Sequence, residues 1–518
     1  MRTLSEKQIT VKGPQEVLDA LEAIELIPKA VTPPPPPPPP VGELPVPEPD
    51  QLGNITLRKS NTIYYLDRDV TNPVYILGHS ITLNTNGFSI AVSGAPAVRI
   101  YVAWLHKEIY GALKPADDFR LEGSGKVTSL THDAFEGLGG ARIVVDRVRL
   151  RCVETDTACV RTSSSVTVNN CTCISDVTKT KNRHQLPAVI VSHWGSVTVT
   201  NSIIIGGQVG INARSGSIVK GNFISQNSIA TNGYAVVVYR GHRVQIEDNL
   251  IVPRNGRGVL INAGIDDASE DKGNIVRGNT IFAIERPNAE YGGRLNACCV
   301  RVRYGARNNV VSGNNCLAVG GQENLDGGWK FVGASALYLS VSPGQENLYA
   351  ENYFSSVVDG KTKIGDVYAK AITLESQGSW KNEVPHYCHD VIRDNTIASN
   401  HIGLSCSGPD GYQQGAHMDL PIADNEFVAA DGDVDLFFAQ ASAKAEELGM
   451  PQEVFERLEE VRNEMSLTDI NLNENWAHVW TTAIWRTPVN VTIKGSGPLK
   501  VVRRAHPDYP VNITVDPS

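Results

Sequence analysis

One asparagine-centred frame recurs along the middle of the chain. The segments "VTVNNCTCI", "VTVTNSIII", "SIVKGNFIS", "VQIEDNLIV", "NIVRGNTIF", "NVVSGNNCL", "NLYAENYFS", "DVIRDNTIA" and "PIADNEFVA" each run through two alternating apolar positions and two or three polar or small residues. An asparagine, one free position and a further apolar residue complete the frame. The asparagines are Asn170, Asn201, Asn222, Asn249, Asn279, Asn314, Asn352, Asn395 and Asn425, separated by gaps of 21 to 43 residues. A fixed motif at such spacing points to stacked repeats. Within each unit the apolar period is two, so the units are short strands, and a strand of this length buries its apolar face only against copies of itself. Asparagine suits the corner between two such strands: it tolerates the left-handed conformation, and its amide can bond its own turn or the asparagine one coil above. The column is therefore structural.

At 518 residues the chain exceeds an ordinary single domain, but a solenoid grows along one axis and escapes that limit. The net charge of -9 argues against nucleic acid as a partner. No apolar run is long enough to span a membrane, and "MRTLSEKQITVKGPQEVLDALEAIELIPKA" lacks the apolar core of a secretory signal. The expected location is a virion or the extracellular space without a classical signal, with the cytoplasm as the alternative. Nine cysteines, an odd count spread over strand patterns, read as buried reduced thiols. Cys152, Cys159, Cys171 and Cys173 are the group to examine for a zinc site or a disulfide, although their spacing matches no zinc motif.

Four segments follow. Residues 1–31 form an attachment segment in which Val17, Leu18, Leu21, Ile24 and Ile27 share one helical face behind Pro14. Residues 32–52 are a proline-rich linker whose eight consecutive prolines, Pro33 to Pro40, make a stiff rod. Residues 53–430 carry the repeats, interrupted between 100 and 135. Residues 431–518 hold two amphipathic helices, the first stopped by Gly449 and the second opened by Pro451, and then short strands that cap the solenoid's end.

The nine frames, together with "VYILGHSITLNTNGFSI", resemble the right-handed parallel β-helix of pectate-lyase-like proteins over roughly residues 60–430. The resemblance implies an all-β fold: a right-handed parallel β-helix with an N-terminal helix, a proline-rich linker and a C-terminal α+β cap. That fold hosts lyases, hydrolases, epimerases, phage adhesins and scaffolds, so function must be argued from a site.

Each coil carries a second strand: "AVIVSH", "GINAR", "AVVVYR", "GVLINA", "CVRVRY", "ALYLSV", "AITLES" and "HIGLSC". Alternation places one outward column at Ser192, Arg214, Tyr239, Asn262, Arg303, Ser340, Glu375 and Ser405. Its neighbour runs through Ile190, Asn212, Val237, Leu260, Arg301, Tyr338, Thr373 and Gly403. Polar and aromatic groups at the coil pitch of about 4.8 Å suit an extended glycan. The longest loops precede the strands of Arg301, Tyr338 and Thr373, and long loops on a rigid scaffold tend to carry function.

Arg214, Tyr239, Asn262, Arg301, Tyr338, Trp329 and Lys330 are thus the candidate substrate-binding residues, with Trp329 suited to stacking on a sugar and the cations to acidic substituents. For chemistry, Glu375 with Asp366 or Asp390 would supply the carboxylate pair of a glycosidase. Arg303, with Tyr338 or Lys330, would instead support proton abstraction beside a uronate. His193 and Trp194 lie on a corner after the second strand. The loop carrying Asp266, Asp267, Glu270 and Asp271 gathers charge as a calcium site does, without the ordered alternation of a calcium loop, and no cofactor is expected.

The leading expectation is a glycan-recognising spike or fibre of the phage tail-spike type, held in a larger assembly through residues 1–31; trimers are implied by that resemblance alone. The alternatives are a free-standing polysaccharide lyase or glycoside hydrolase, and a structural solenoid whose loops bind protein.

Overall fold

The structure, a computed structural model, describes residues 43–516 except 101–115, 141, 155, 177–187, 227–232, 254–256, 263–272, 285–294, 304–305, 326–327, 342–345, 359–368, 377–386, 389, 400–401, 408–416, 430–433, 465–478, 482–488, 495–500 and 504–510. The chain winds through three sheets in a fixed order. In one coil, Gln245–Glu247 lies in sheet A, Leu250–Ile251 in sheet C and Arg257–Asn262 in sheet B, and Ile275–Arg277 returns to sheet A one rung later. Each strand pairs in parallel with its counterparts in neighbouring coils, as Ile246 pairs with Val219 and Val276. This is the right-handed parallel β-helix that the repeats imply. Its interior is a stack of aliphatic side chains, and Val259, Val276 and Ile281 have no exposed surface.

The asparagine column is a hydrogen-bonded ladder at the corner between sheets A and C. The Asn222 N–H and Nδ2 both donate to Asn249 Oδ1, at 3.0 and 2.9 Å, and the second Nδ2 proton goes to the Val199 carbonyl at 2.9 Å. The same bonds repeat through Asn279, Asn314, Asn352, Asn395 and Asn425, all buried. Two sequence assignments shift by one residue. Asn170 and Asn201 are not rungs: the strand register places Cys171 and Ser202 there, and Ser202 N–H donates to Asn222 Oδ1 at 2.9 Å. Asn170 and Asn201 instead hold the left-handed position just before the rung, at φ 51° and 49°, where later coils have Gly221, Asp248, Gly278, Gly313, Glu351, Asp394 and Asp424. The left-handed bend and the amide ladder, expected of one asparagine, are divided between two consecutive residues.

A second ladder, absent from the sequence reading, stands at the corner between sheets B and A. Val244 N–H donates to Asn274 Oδ1, Asn274 to Asn309, Asn309 to Asn347 and Asn347 to Asp390, at 2.8 to 3.1 Å. Because every amide in both ladders meets a partner, burying them avoids the cost of an unsatisfied polar group.

Helices α1 (Val434–Glu447) and α2 (Gln452–Glu464) are joined as the sequence indicates. Met450 N–H bonds the Ala445 carbonyl and Gly449 N–H the Glu446 carbonyl, with Gly449 at φ 61°, the Schellman closure that favours glycine. The helices lie along the flank of sheet C rather than across the solenoid's end. They bury its outward residues Ile203, Phe223, Leu250, Phe282 and Leu317 against Phe437, Phe438, Val454 and Leu458. The Phe282 ring sits 4.5 Å from Phe437 and 5.1 Å from Phe438. Beyond them the chain resumes stacking: Val479–Thr481 and Val501–Arg503 extend sheet B, and Val489–Lys494 and Val511–Asp516 extend sheet A. At the other end Leu44–Pro45, inside the proline-rich stretch, already pairs with Tyr64 and Tyr65.

Candidate functional site

Sheet B breaks strict alternation in each of its central coils. Ala235 and Val236 are both wholly buried in the core, as are Cys299 and Val300, Ala336 and Leu337, and Ala371 and Ile372. The pairing steps over these positions, from Tyr234↔Arg257 to Val236↔Val259 and from Ser335↔Lys370 to Leu337↔Ile372. The two consecutive inward residues make a bulge that each strand repeats in register with the next, with no residue inserted in one strand alone, and its first residue is small because the coils stack tightly there. At Gly210 a Cβ would come within 2.5 Å of the Ala235 carbonyl oxygen, and at Gly258 within 2.3 Å of that of Cys299. The bulge turns the residue before it, Tyr234 or Arg257, onto the outer face.

An arginine–tyrosine cluster results. Tyr234 OH accepts Arg257 Nη1 at 3.1 Å and Arg301 Nη1 at 3.4 Å. The Arg301 guanidinium lies over the Tyr338 ring at 4.5 Å, and Arg257 over the Tyr234 ring at 5.4 Å. Tyr234 and Arg257 are buried, whereas Arg301, Arg303 and Tyr338 are half-buried. Burial, then the adjacent Arg301 and Arg257, push the Arg303 guanidinium down to about 10. Arg301 Nε is buried and has no hydrogen-bond partner among the described residues. Such a face presents fixed, partly desolvated cations and aromatic surface, which suits planar oxyanions and sugar rings.

The sequence-derived residues divide as follows. Arg301, Arg303 and Tyr338 are brought together, and the expected registers Leu260↔Arg301↔Tyr338↔Thr373 and Tyr239↔Asn262↔Arg303 are those observed. Arg214 and Tyr239 continue the outer column on earlier coils, where Arg214 Nη1 reaches the Tyr239 carbonyl at 3.5 Å and Arg240 lies over the Tyr239 ring. The register slips at both ends: Val191, not Ile190, aligns with Asn212, and Ser405 pairs with Thr373 while Ser407 pairs with Glu375. Val191, Val237 and Leu260 face outward yet are buried in an apolar cluster with Tyr234, so in that column, Asn212 apart, the polar groups start at Arg301, while the neighbouring column is already polar at Arg214, Tyr239 and Asn262.

Glu375 pairs in register with Ser340, two coils beyond the strand of Arg303, and Asp366 lies outside the described residues. Trp329 and Lys330 are not in a loop. Gly321–Leu325 and Gly328–Val332 pair antiparallel, with Asn324 opposite Trp329 and Glu323 opposite Lys330, so that connection is a β-hairpin projecting from sheets C and B. Asp390 is the buried end of the second ladder, its Oδ1 accepting Asn347 N–H and Nδ2 at 2.9 Å, and so is occupied structurally. Tyr234 and Arg257 were missed because the bulge hides them; the signal was the small residue after each, in "YAVVVY" and "RGVLIN".

Of the secondary candidates, the acidic loop at 263–272 lies outside the described residues. Cys152 and Cys159 approach to 3.6 Å between sulfurs. Burial pushes the Cys171 thiol up to about 11 and raises Cys159 and Cys173 well above the ordinary thiol range, whereas the hydrogen bond with Cys159 lowers Cys152. Trp194 is 86% exposed on its corner. His193 beside it is pushed downward by partial burial and by Arg161 and Arg214.

No family model matches the chain, and no curated protein matches it. Among solved structures it is similar to a tailspike protein mutant of E. coli bacteriophage HK620 in complex with pentasaccharide, at 12% identity and TM-score 0.36, covering 73% of this chain and 72% of that one. It is also similar to a PL6 alginate lyase in complex with trisaccharide, at 9% identity and TM-score 0.24, covering 82% of this chain and 95% of that one. The fold assignment stands on the strand pairings themselves.

Proposed function

We propose that this protein binds an extended glycan along the outer face of sheet B, as the spike or fibre of a virion that contacts a cell-surface polysaccharide. The observation that carries the reading is the packing of Arg301 between Tyr338 and Tyr234 with Arg257 alongside. Aromatic rings offer sugars a rigid flat surface, and guanidinium groups hold oxygen-rich ligands in fixed geometry. Coils repeating at about 4.8 Å spread those groups over a length suited to a chain of sugars rather than a single one. Residues 1–31 and the proline rod would link this surface to a larger assembly.

A glycan array probed with the full chain tests the reading. Binding to a restricted set of polysaccharides is expected, and Tyr338→Ala should weaken it about tenfold through the lost stacking surface. Retention of no glycan would overturn it. Deleting residues 1–42, which spares the strand Leu44–Pro45, should leave the array pattern unchanged while releasing the protein from particles; an unchanged distribution would remove the virion part. Assay of the bound polysaccharides for new reducing ends or unsaturated uronates separates a binder from an enzyme using Glu375.

A further inference from the structure

We infer that Cys152 and Cys159 are an oxidisable pair: a small disulfide compound converts them into an intrachain disulfide that ties the end of one strand to the chain just ahead of the next. This goes beyond the glycan reading and stands independently of it.

The two sulfurs touch. Cys152 Sγ and Cys159 Sγ are 3.6 Å apart, and both residues are wholly buried. The sulfurs of a disulfide lie about 2.05 Å apart, so closure from the observed 3.6 Å asks for an approach of roughly 1.5 Å. Cys152 is the last residue of the strand Arg149–Cys152, and Cys159 stands just before the strand Val160–Thr162. Both backbones therefore lie at strand ends, where so small a shift leaves the ladder intact. Other described thiols are placed differently. Cys171 is turned to the Val145 and Asn169 carbonyls at 3.4 and 3.2 Å. Cys299 and Cys316 adjoin one another, but each sits inside a strand, Leu295–Arg303 and Asn315–Leu325, that pairs on both sides.

The Cys159 S–H can turn either to the Ile174 carbonyl at 3.1 Å or to Cys152. Turned to Cys152, it lowers that thiol against the effect of burial, whereas burial and then Cys152 itself raise Cys159. Cys152 is thus the attacking sulfur. Its thiolate displaces RS⁻ from the oxidant RS–SR, leaving Cys152–SR, and the Cys152 proton passes to that RS⁻. Cys159 Sγ then attacks Cys152 Sγ; the bond between them forms as the second RS⁻ leaves and takes the Cys159 proton. Two thiols are oxidised and RS–SR is reduced to two RSH. Because both sulfurs are buried, exchange waits on local opening of the coil and is slow beside that of a surface thiol.

The test incubates the full folded chain with oxidised glutathione, stops exchange with acid, unfolds and alkylates the chain, and reads the tryptic peptides by mass. Cleavage after Arg151 and Arg161 leaves both cysteines in one peptide, "CVETDTACVR". That peptide should lose two hydrogens and escape alkylation, and dithiothreitol should return both alkylation sites. The peptides carrying Cys171 with Cys173, Cys298 with Cys299, and Cys316 should stay alkylated throughout. Cys159→Ser should halt exchange at the mixed disulfide, adding one glutathione to Cys152, and Cys152→Ser should leave Cys159 unmodified. Circular dichroism checks that both variants are folded, and the wild-type mapping stands without them. A peptide 152–161 that remains doubly alkylated, a link from Cys159 to Cys173, or loss of thiols from all of these peptides together would overturn the inference.

Discussion

The outward faces of sheets C and B belong to the same coils and share one interior, yet they carry opposite chemistry. On sheet C the outward residues are Phe223, Leu250, Phe282 and Leu317, and the chain covers them with its own helices α1 and α2. On sheet B the corresponding surface turns from Val191, Val237 and Leu260 to Arg301, Arg303 and Tyr338, whose side chains keep part of their surface open. Inside the coils the requirements are rigid; outside, each face is free to specialise. An apolar face must be covered, because exposed apolar surface of that extent invites association. A face of cations stacked on aromatics holds itself apart from water only in part, and that is the state in which a polar ligand gains most.

This contrast presumes that both faces hang on one frame, and the strongest way to break it is to cut the frame. Asn314→Ala removes the Oδ1 that accepts Asn279 N–H and Nδ2 at 3.0 and 2.9 Å. The buried Asn279 N–H loses its acceptor, its Nδ2 keeping the Ile246 and Arg277 carbonyls, and the Val276 carbonyl loses the Asn314 Nδ2; together these should cost about 4 kcal/mol, and helix docking and glycan binding should weaken together. Thermal and denaturant unfolding followed by circular dichroism reads this; a change near zero would mean that the ladder decorates the corner rather than securing it. Next in size, Phe282→Ala empties the space between sheet C and α1 and should cost about 3 to 4 kcal/mol in the same assay. It should leave binding on sheet B unchanged, since separate faces should act independently. A loss of affinity comparable to that of Tyr338→Ala would show that the faces are coupled. The smallest effect is expected from Glu453→Gln on α2. Its ion pair with Arg149 joins two half-exposed side chains, so stability should fall by less than about 1 kcal/mol and should respond little to salt in the variant.

Much of the frame was legible because it obeys two simple periods. Alternation gave the strands, and recurrence gave the stack; Gly449 and Pro451 marked the helix junction where the Schellman closure now stands. What resisted reading lay where those periods fail. In "VTVNNCTCI" two adjacent asparagines both fit the corner, and only the register with Ser202 and Asn222 selects Cys171 as the rung. The second ladder went unseen because Asn274, Asn309 and Asn347 precede their strands by one residue and share the loop compositions around them. Tyr234 and Arg257 fell on the wrong side of an assumed alternation that the bulge interrupts. The docking place of the helices depends on apolar residues on both faces of sheet C strands such as "TIFAI", where strict alternation does not tell the two faces apart. The hairpin at Trp329 had its own sign in the Asp326-Gly327 pair, which is a common hairpin turn sequence.

The first ladder closes with nearly constant bonds of 2.9 to 3.0 Å although successive rungs are 27, 30, 35, 38, 43 and 30 residues apart. The corner takes no account of how much chain departs from the coil before returning to it. The segments between sheets C and B and between sheets B and A are therefore exchangeable cassettes: they can be lengthened, shortened or swapped between coils while the spine keeps its pitch. A binding surface built this way can be rewritten one tier at a time, by evolution or by a designer, without renegotiating the fold beneath it.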